Sequence, residues 1–281
     1  MKAPAGPTGL KGFITASPFV APMVRTALSI AGSDSGGGAG IQADLRSFAA
    51  IGVHGCCVIT CVTAQNTVGV DSIFPLPPKE VRAQLDAVLS DIPVHAAKTG
   101  MLYSRDLVRV VAARVPRSLP LVVDPVMVAT VGASLRARNF REALVDLLLP
   151  RATLVTPNLF EASELAGFAV RSVEDMRRAA REIRGMGAEA VLVKGGHLKG
   201  AAVDVLYDGH FREFRGPRFR KELHGSGCTL AASIAAYLAL GRSLRASIAA
   251  ARKRVQAGFR TSYGVGRGVE VINSHWAPRR S

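Results

Sequence analysis

The sequence predicts an α/β protein in three layers, with helices covering both faces of a mainly parallel sheet. Three observations favour this class. Apolar runs of strand length alternate with stretches of helical spacing along the chain, those runs are apolar throughout, and no internal repeat is present. Strands that are apolar on both faces belong to parallel sheets with helices on each side. The 281 residues are enough for one large domain of this kind.

Each element is predicted from the spacing of apolar residues. In the first helix Ile41, Leu45 and Phe48 recur on one face. Helices are predicted at 41–51, 81–89, 107–115, 140–149, 159–166, 173–186, 228–240 and 244–260. Strands are predicted at 26–31, 57–62, 95–99, 121–123, 154–156 and 190–193, followed by a hairpin of 203–207 and 211–214. Because open parallel sheets bind ligands beyond the carboxyl ends of their strands, the residues after each strand are the functional candidates.

The chain is predicted to hold a single domain at 26–275, between a flexible N-terminal extension at 1–25 and a tail at 276–281. The extension carries four prolines and lacks the continuous apolar centre of a signal peptide. No run of about eighteen apolar residues occurs, so no membrane span is expected. The four cysteines lack a zinc-ribbon spacing and are typical of a reducing compartment, so a cytoplasmic location is expected.

A strongly basic surface is predicted from the formal net charge of +15. Residues 223–269 contain no Asp or Glu but seven Arg or Lys. Such a surface can bind nucleic acid, attract anionic substrates or form a solvated helix face. Nucleic acid is not expected as a partner, because aromatic residues do not alternate with the basic ones.

A glycine-rich loop follows the first strand at residues 32–40, with five glycines in nine positions. Glycines allow positive φ angles and close approach of the backbone to a ligand. A dinucleotide-binding loop needs a ribose-binding acid about twenty residues later, but that window holds Val53-His54-Gly55. A flexible turn is another interpretation. We favour a loop that closes over a small ligand.

Uncharged side chains after two strands suit a flat, neutral ligand. Gln65 offers both a donor and an acceptor to a heteroaromatic ring. Met101 can form a soft apolar wall. Asp44 lies in the first helix among few other charges, and its position alone indicates a solvated acid.

Two carboxylates at neighbouring strand ends are candidates for a magnesium site. Asp124 ends one predicted strand and Glu161 follows the next. In proteins Mg²⁺ is commonly bound through one or two carboxylates, water and nucleotide phosphates. Asn158, three residues before Glu161, has a competing role as a helix cap. Lys194, at a further strand end, is a candidate phosphate contact.

The strongest local signal is the turn formed by Gly225, Ser226, Gly227 and Cys228, which opens an alanine-rich helix. Glycines free the backbone to direct several N–H groups at one point, and a helix start adds partial positive charge. The turn therefore predicts an anion site, although no Walker A motif occurs. We expect the helix start to lower the pKa of the Cys228 thiol. A buried thiol that closes a tight turn is the alternative interpretation.

Six segments in this order resemble the ribokinase superfamily and are most similar to the hydroxymethylpyrimidine/phosphomethylpyrimidine kinases of thiamine biosynthesis. The segments are 30–45, 64–67, 98–102, 123–127, 156–158 and 224–228. The resemblance implies a ribokinase-like three-layer α/β/α fold, ATP and Mg²⁺ as cofactors, and a homodimer. It also implies two successive phosphoryl transfers, which convert 4-amino-5-hydroxymethyl-2-methylpyrimidine to its monophosphate and then to the diphosphate.

The resemblance further implies a role for each site residue. Gln65 and Asp44 would hold the polar edge of the pyrimidine, and Gly32 and Met101 would line its pocket. Asp124 and Glu161 would serve Mg²⁺, while Lys194 and Asn158 would contact the nucleotide. Gly225, Ser226 and Gly227 would form the anion hole, and Cys228 would accept the proton of the substrate hydroxyl. Many relatives in the wider superfamily have Asp at the position of Cys228.

Two other functions remain open at this point. A pyridoxal or pyridoxine kinase shares the fold and the turn. A cysteine-based acyl transferase would need a His/Asp partnership, and none is evident. His224 precedes the turn and is expected to shape the loop instead.

Overall fold

The strands of this computed structural model form one mixed sheet. The structure describes residues 24–127, 139–196, 198, 202–219 and 221–276. Within them a nine-stranded sheet has the order β3-β2-β1-β4-β5-β6-β7-β8-β9. Its strands are β1 (Thr26–Asp34), β2 (His54–Gln65), β3 (Val70–Pro75), β4 (Ala96–Thr99), β5 (Leu121–Val123), β6 (Leu154–Val155), β7 (Val191–Val193), β8 (Ala202–Tyr207) and β9 (Phe211–Gly216).

The six adjacent strands β2, β1, β4, β5, β6 and β7 are parallel to one another. At the two ends of the sheet, β3, β8 and β9 pair antiparallel with their neighbours. The helices are α1 (Gly40–Ile51), α2 (Pro78–Asp91), α3 (Arg105–Arg114), α4 (Phe140–Ala143), α5 (Leu159–Ala166), α6 (Val173–Gly185), α7 (Ser226–Ala239) and α8 (Leu244–Arg260). Among the described residues no helix is both long enough and apolar enough to cross a membrane.

Two apolar cores flank the sheet. On one face, buried residues of α2, α3, α5 and α6 pack against the strands, with Phe140 and Leu144 completing the cluster. On the other face, α1, α7 and α8 bury Phe48, Ile234 and Ile248. The three-layer α/β class predicted from the sequence is confirmed. The domain limits stay a prediction, because residues 1–23 of the extension and 277–281 of the tail lie outside the described residues.

Three elements differ from the sequence prediction. The strand β3 was not predicted because it lies at the sheet edge and is largely exposed. The strand β2 is twice as long as the predicted run, because its polar ends also pair with neighbours. The predicted helix 140–149 is instead α4, then a π-helical turn Leu144–Leu148 and a 3₁₀ turn Leu149–Arg151. Pro150 in this last turn has no N–H to continue an α-helical ladder.

The fold brings the functional candidates to one edge. The parallel strands all end there, and α1 and α7 both begin there, so two helix N-termini meet the carboxyl ends of the strands. The helices α1 and α7 also pack against each other on the same face of the sheet. This edge therefore combines polar strand ends with the positive ends of two helix dipoles.

Candidate active site

A cavity of about 1160 Å³ opens at this edge of the sheet. Every site residue predicted from the sequence lines it, with the exception of Asp44. The predicted residues that it brings together are Gly32, Gln65, Met101, Asp124, Asn158, Glu161, Lys194, Gly225, Ser226, Gly227 and Cys228. Their individual roles stay predictions.

Asp34 organises the glycine-rich loop. Its carboxylate accepts hydrogen bonds from the backbone amides of Gly36 and Gly38 at 2.9 Å and of Ala39 at 2.8 Å. Burial raises the pKa of Asp34, but hydrogen bonds from His224 and from these amides outweigh it, so its pKa lies below the usual value. The loop is thus held by an ionised carboxylate at its centre.

His224 joins this loop to the turn before α7. Its Nε2 lies 2.8 Å from Oδ2 of Asp34 and 3.1 Å from the amide nitrogen of Gln65. Since an ionised carboxylate only accepts, the ring nitrogen that faces Asp34 carries the hydrogen. The expected role of His224 in shaping the loop agrees with these contacts.

Gly225 fits directly against the glycine loop. It has a φ of 84°, which favours glycine, and a Cβ atom placed there would clash with the carbonyl oxygen of Gly38. The helix α7 begins at the next residue, so Ser226, Gly227 and Cys228 form its first turn. The amides of a first turn have no partner within the helix, which leaves them to face an anion in the cavity.

Cys228 lies at the floor of the cavity and does not have the lowered pKa expected from its place at a helix start. Burial raises the pKa of its thiol to about 11, against the charge of Lys98 and a hydrogen bond from the Gly40 amide. The expectation considered only the local field of the helix. Desolvation of the thiolate by the surrounding protein is the larger effect, so the prediction of a lowered pKa was wrong.

An ion pair between Lys194 and Asp124 lies directly under the turn. Their side chains are 2.9 Å apart, and Thr156 also donates to Asp124 at 3.2 Å. A Cβ atom on Gly227 would lie 3.4 Å from Nζ of Lys194 and 3.7 Å from Oδ2 of Asp124. Burial lowers the pKa of Lys194, but the charges of Asp124 and Glu161 outweigh it and raise it, so the lysine stays charged.

Asn158 and Glu161 cap α5. The Asn158 side chain accepts from the Glu161 amide at 2.9 Å, and Glu161 accepts from the Asn158 amide at 2.8 Å, which is a capping box. The competing interpretation of Asn158 as a cap is therefore what the structure shows, although both residues also line the cavity. Burial raises the pKa of Glu161 to about 7, partly offset by Lys194.

Asp124 and Glu161 fit a magnesium ion that is shared with a phosphate ligand. Both carboxylates line the cavity and lie close enough to raise the pKa of Glu161 through their mutual repulsion. No group of three or more His, Cys, Asp or Glu that could hold a metal occurs within the described part of the chain. Two carboxylates with water and phosphate oxygens are a common Mg²⁺ ligand set, so this pair suits a cation that arrives with a nucleotide.

We expect Glu161→Gln to raise the free energy of unfolding at about pH 8 by about 3 kcal/mol, at about 1.4 kcal/mol per pKa unit. The folded chain keeps the Glu161 proton up to a pKa of about 7, whereas the ordinary value is 4.5. The contribution of Glu161 to the free energy of unfolding is therefore fully present below a pH of 4.5. It is lost as the pH rises through about 7, the pKa of Glu161 in the folded chain. Glutamine keeps the capping box without the buried charge.

Urea denaturation at about pH 5 and about pH 8 measures this effect, and the gain should appear at the higher pH. Glu182→Gln, on the exposed face of α6, is the matched control and should change little at either pH. An equal gain at both values would show that the buried charge is not its source.

Gly32, Met101 and Gln65 also line the cavity. Gly32 lies against Met101, since a Cβ atom there would be 3.3 Å from the Met101 sulfur. The amide oxygen of Gln65 accepts from Thr63 at 3.2 Å, while its nitrogen faces His224. Met101 and the Gln65 amide can hold a small ring in the cavity that Cys228 also lines.

Asp44 does not line the cavity, which corrects its predicted contact with the substrate. Its side chain is fully buried and is bound by Nζ of Lys98 at 2.9 Å and by Oγ of Ser29 at 2.6 Å. The prediction failed because a lysine from β4 lies between this helix and the cavity, and helical spacing cannot show such a pairing.

A second group of lining residues was missed by the sequence analysis. The loop between β9 and α7 and the inner face of α8 form the far end of the cavity, where the rings of Phe219 and Phe259 stack with centroids 4.8 Å apart. Val255 and Gln256 complete this surface. Apolar residues at helical spacing predict which side of a helix faces the core, but they do not predict which of these residues line a cavity. The sequence therefore gave no indication that Phe219 and Phe259 line this one.

These features together define a class of enzyme. Helix-start amides, a lysine beside the cavity, two carboxylates that suit Mg²⁺ and a thiol in the first helical turn are the parts of a phosphotransferase that acts on a small molecule. A family model described as phosphomethylpyrimidine kinase matches residues 34–273, and the chain belongs to this family.

Individual relatives agree with the family. A hydroxymethylpyrimidine/phosphomethylpyrimidine kinase of Synechococcus elongatus is 50% identical over 250 residues, which cover 87% of this chain and 95% of the relative. The chain is 49% identical to a thiamine biosynthesis bifunctional protein of Geobacter sulfurreducens, with 90% of this chain matched, but it spans only 53% of that protein. The structure of Staphylococcus aureus pyridoxal kinase in complex with AMP-PCP and pyridoxal superposes with a TM-score of 0.83 at 34% identity, covering 90% of this chain and 94% of that one.

Proposed function

We propose that this kinase phosphorylates 4-amino-5-hydroxymethyl-2-methylpyrimidine from ATP, and then phosphorylates the monophosphate to the diphosphate. The observation that carries the proposal is the joint placement of Cys228, the α7 amides and the Lys194–Asp124 pair around one cavity. The family and the relative named above support the same substrate.

The acceptor hydroxyl is proposed to lie beside Cys228, with the ring held at the Gln65 and Met101 end. The amides of Ser226, Gly227 and Cys228 stabilise charge on the phosphoryl group as it moves, and Lys194 contacts its oxygens. Cys228 accepts the hydroxyl proton when it is ionised. Asp124 and Glu161 would hold Mg²⁺, which supplies neutralisation of phosphate charge.

The far end of the cavity is proposed to hold the adenine base. Phe219 and Phe259 offer an apolar surface, and Gln256 offers both a donor and an acceptor. The turn and Lys194 line the same cavity as these residues, which suits a nucleotide whose phosphates point toward the acceptor. The AMP-PCP complex of the pyridoxal kinase supports a nucleotide in this fold.

Pyridoxal phosphorylation is the second candidate, and one observation favours it. The solved pyridoxal kinase with bound pyridoxal has the same fold at 34% identity. The pyrimidine kinase remains the better supported of the two, because its relative reaches 50% identity over nearly the whole of both chains. Both substrates are small heteroaromatic rings with a hydroxymethyl group, so the cavity alone does not separate them.

A coupled assay of ATP turnover with hydroxymethylpyrimidine, its monophosphate and pyridoxal tests the function. We expect turnover with both pyrimidines, a kcat/KM for pyridoxal at least about tenfold lower, and loss of activity on removal of Mg²⁺ with a chelator. Mass spectrometry identifies the mono- and diphosphate products. Turnover with pyridoxal alone would overturn the proposed substrate, and activity in the presence of the chelator would overturn the proposed metal.

We also propose a homodimer in a reducing, cytoplasmic compartment. The edge of the sheet exposes apolar side chains, with Val62 and Phe74 paired across β2 and β3 at 46% and 66% exposure and Val68 nearby at 59%. Exposed apolar patches of this kind mark interaction surfaces. The four cysteines are all free, as a reducing compartment requires. Sedimentation equilibrium tests the oligomeric state.

A further inference from the structure

The contact between His224 and Gln65 sets two hydrogen-bond donors against each other. Oδ2 of Asp34 accepts hydrogen bonds from two backbone amides, those of Gly38 and Ala39. It accepts a third from Nε2 of His224, which lies 2.8 Å away, so this ring nitrogen carries a hydrogen. The side-chain nitrogen of Gln65, which can only donate, lies 3.1 Å from the same Nε2. Buried polar groups are normally paired with partners of the opposite kind, so this contact favours another orientation of the amide.

Turning the Gln65 amide over satisfies this contact and a second one. Thr63 has one hydroxyl hydrogen, but its oxygen lies 3.0 Å from the carbonyl oxygen of Ser33 and 3.2 Å from the amide oxygen of Gln65. With the amide turned, its oxygen accepts from His224 and its nitrogen donates to Thr63. The Thr63 hydroxyl is then free to donate to Ser33. The terminal torsion of a glutamine is broad and roughly two-fold, so the turn requires no movement of the backbone.

The turned amide keeps one donor and one acceptor for a ligand. His224 uses one lone pair of the amide oxygen and Thr63 uses one of the two amide hydrogens, which leaves a lone pair and an N–H side by side. Gln65 and His224 both line the cavity, so this remaining edge is available there. A ring that carries a donor next to an acceptor pairs with such an amide at both atoms, as adenine does with glutamine. The order of the two amide atoms therefore decides which way round the ring binds.

The order set by His224 suits the proposed substrate. The 4-amino group of the pyrimidine is a donor and the adjacent ring nitrogen is an acceptor, so the amino group pairs with the amide oxygen on the side of His224. The hydroxymethyl group is bonded to the carbon next to the one that carries the amino group, so it also lies toward His224. The turn that leads to Cys228 begins at the next residue, Gly225. This order therefore brings the reacting hydroxyl toward the turn.

We propose that His224 is a positioning residue that holds the Gln65 amide with its oxygen toward His224 and its nitrogen toward Thr63, and thereby selects a ring whose donor lies next to the hydroxymethyl group. Asp34 keeps the His224 ring in the tautomer that donates. This inference rests on the proposed function and adds how its site recognises the substrate. The 4-oxo analogue, whose exocyclic oxygen accepts and whose adjacent ring nitrogen carries a hydrogen, has the reverse order and is rejected.

Nuclear Overhauser effects in the isotopically labelled wild-type chain test the amide orientation without any substrate. The side-chain NH₂ protons of Gln65 should show stronger effects to the side chain of Thr63 than to the carbon-bound ring protons of His224. The reverse order of intensities would place the amide nitrogen beside His224 and would overturn the proposal. The measurement needs no variant, so it does not depend on whether a substitution at His224 folds.

The ratio of kcat/KM between the 4-amino substrate and its 4-oxo analogue tests the consequence for recognition. Wild type should favour the 4-amino ring by at least about 100-fold, because the reverse order leaves buried polar groups unpaired. His224→Leu frees the amide to turn either way, so the ratio should fall to about tenfold or less. His224→Gln keeps an N–H donor and should retain most of the preference. His210→Leu, at the exposed hairpin between β8 and β9, is the matched control and should keep the wild-type ratio.

The two measurements separate this inference from the proposed function. A purely structural role of His224 would lower the rates with both rings together, so an unchanged ratio in His224→Leu would overturn the inference and leave the function standing. A wild type that phosphorylates both rings equally well would do the same. If wild type does not phosphorylate the pyrimidine at all, the proposed function fails, but the Overhauser effects still decide how His224 orients the Gln65 amide.

Discussion

Cys228→Ala is expected to lower kcat for the first phosphorylation by about 10²–10⁴-fold and to affect the second phosphorylation far less. The first acceptor is an alcohol that must lose a proton as the new bond forms. The second acceptor is a phosphate that is already ionised near neutral pH, so it needs no base. Separate assays with the hydroxymethyl compound and its monophosphate measure the two losses.

The pH dependence of the wild-type protein gives the same prediction a second test. Burial raises the pKa of Cys228 to about 11, so the thiolate fraction increases about tenfold with each pH unit below that value. We therefore expect kcat/KM of the first reaction to rise steeply between about pH 7 and about pH 9, and that of the second to stay nearly flat.

Cys57→Ala is the matched control, because Cys57 is also partly buried but lies on β2 outside the cavity lining. It should leave both reactions and their pH profiles close to wild type. Equal losses of both reactions in Cys228→Ala, or a flat profile for the first reaction, would argue that Cys228 only shapes the turn.

Gly225→Ala is expected to lower activity by at least about 100-fold, because a 1 Å displacement in a positioned site has that effect. The residue has a φ of 84°, and an added Cβ would clash with the carbonyl oxygen of Gly38. The contact is with backbone, so no side-chain rotation relieves it. Either the glycine loop or the start of α7 must move, and both moves displace the amides that are proposed to face the phosphoryl group.

Gly241→Ala separates this effect from backbone strain alone. Gly241 has a φ of 79°, but no atom lies within 4 Å of the position of an added Cβ. Both variants therefore carry a strain of about 1 kcal/mol, and only Gly225→Ala carries the clash. Thermal unfolding and kcat/KM measure the pair. Similar activity of the two variants would show that the close fit between loop and turn is not needed for catalysis.

The sequence predicted those parts of the fold that depend on local pattern. Central strands such as β5 and β7 are buried on both faces, so their continuous apolar runs are visible without a structure. The helix α8 was predicted with its exact bounds, and the structure shows Ser243 as its cap. The edge strand β3 has no such pattern, since its stability comes from pairing with β2 rather than from burial.

In the candidate site, too, features that depend on local pattern were predicted and features that depend on contacts between distant residues were not. Residues that follow strands, such as Gln65 and Lys194, were predicted because strand ends share one edge of a parallel sheet. The pairing of Asp44 with Lys98, residues 54 apart in the chain, depends on how α1 packs against the sheet, and no local sequence pattern shows it. The raised pKa of Cys228 was missed for a similar reason, because desolvation is set by everything packed around the thiol.

The contact between His224 and Asp34 also has a consequence for folding. These residues are 190 positions apart in the chain, and the Gly225 turn rests on the loop that Asp34 holds. Closing so long a segment costs more conformational entropy than pairing two strands that are close together in the chain. We expect the sheet to form early and the site to assemble late, once α7 docks. During synthesis, a nascent chain would therefore remain without its proposed anion site until the Gly225 turn and α7 had left the ribosome.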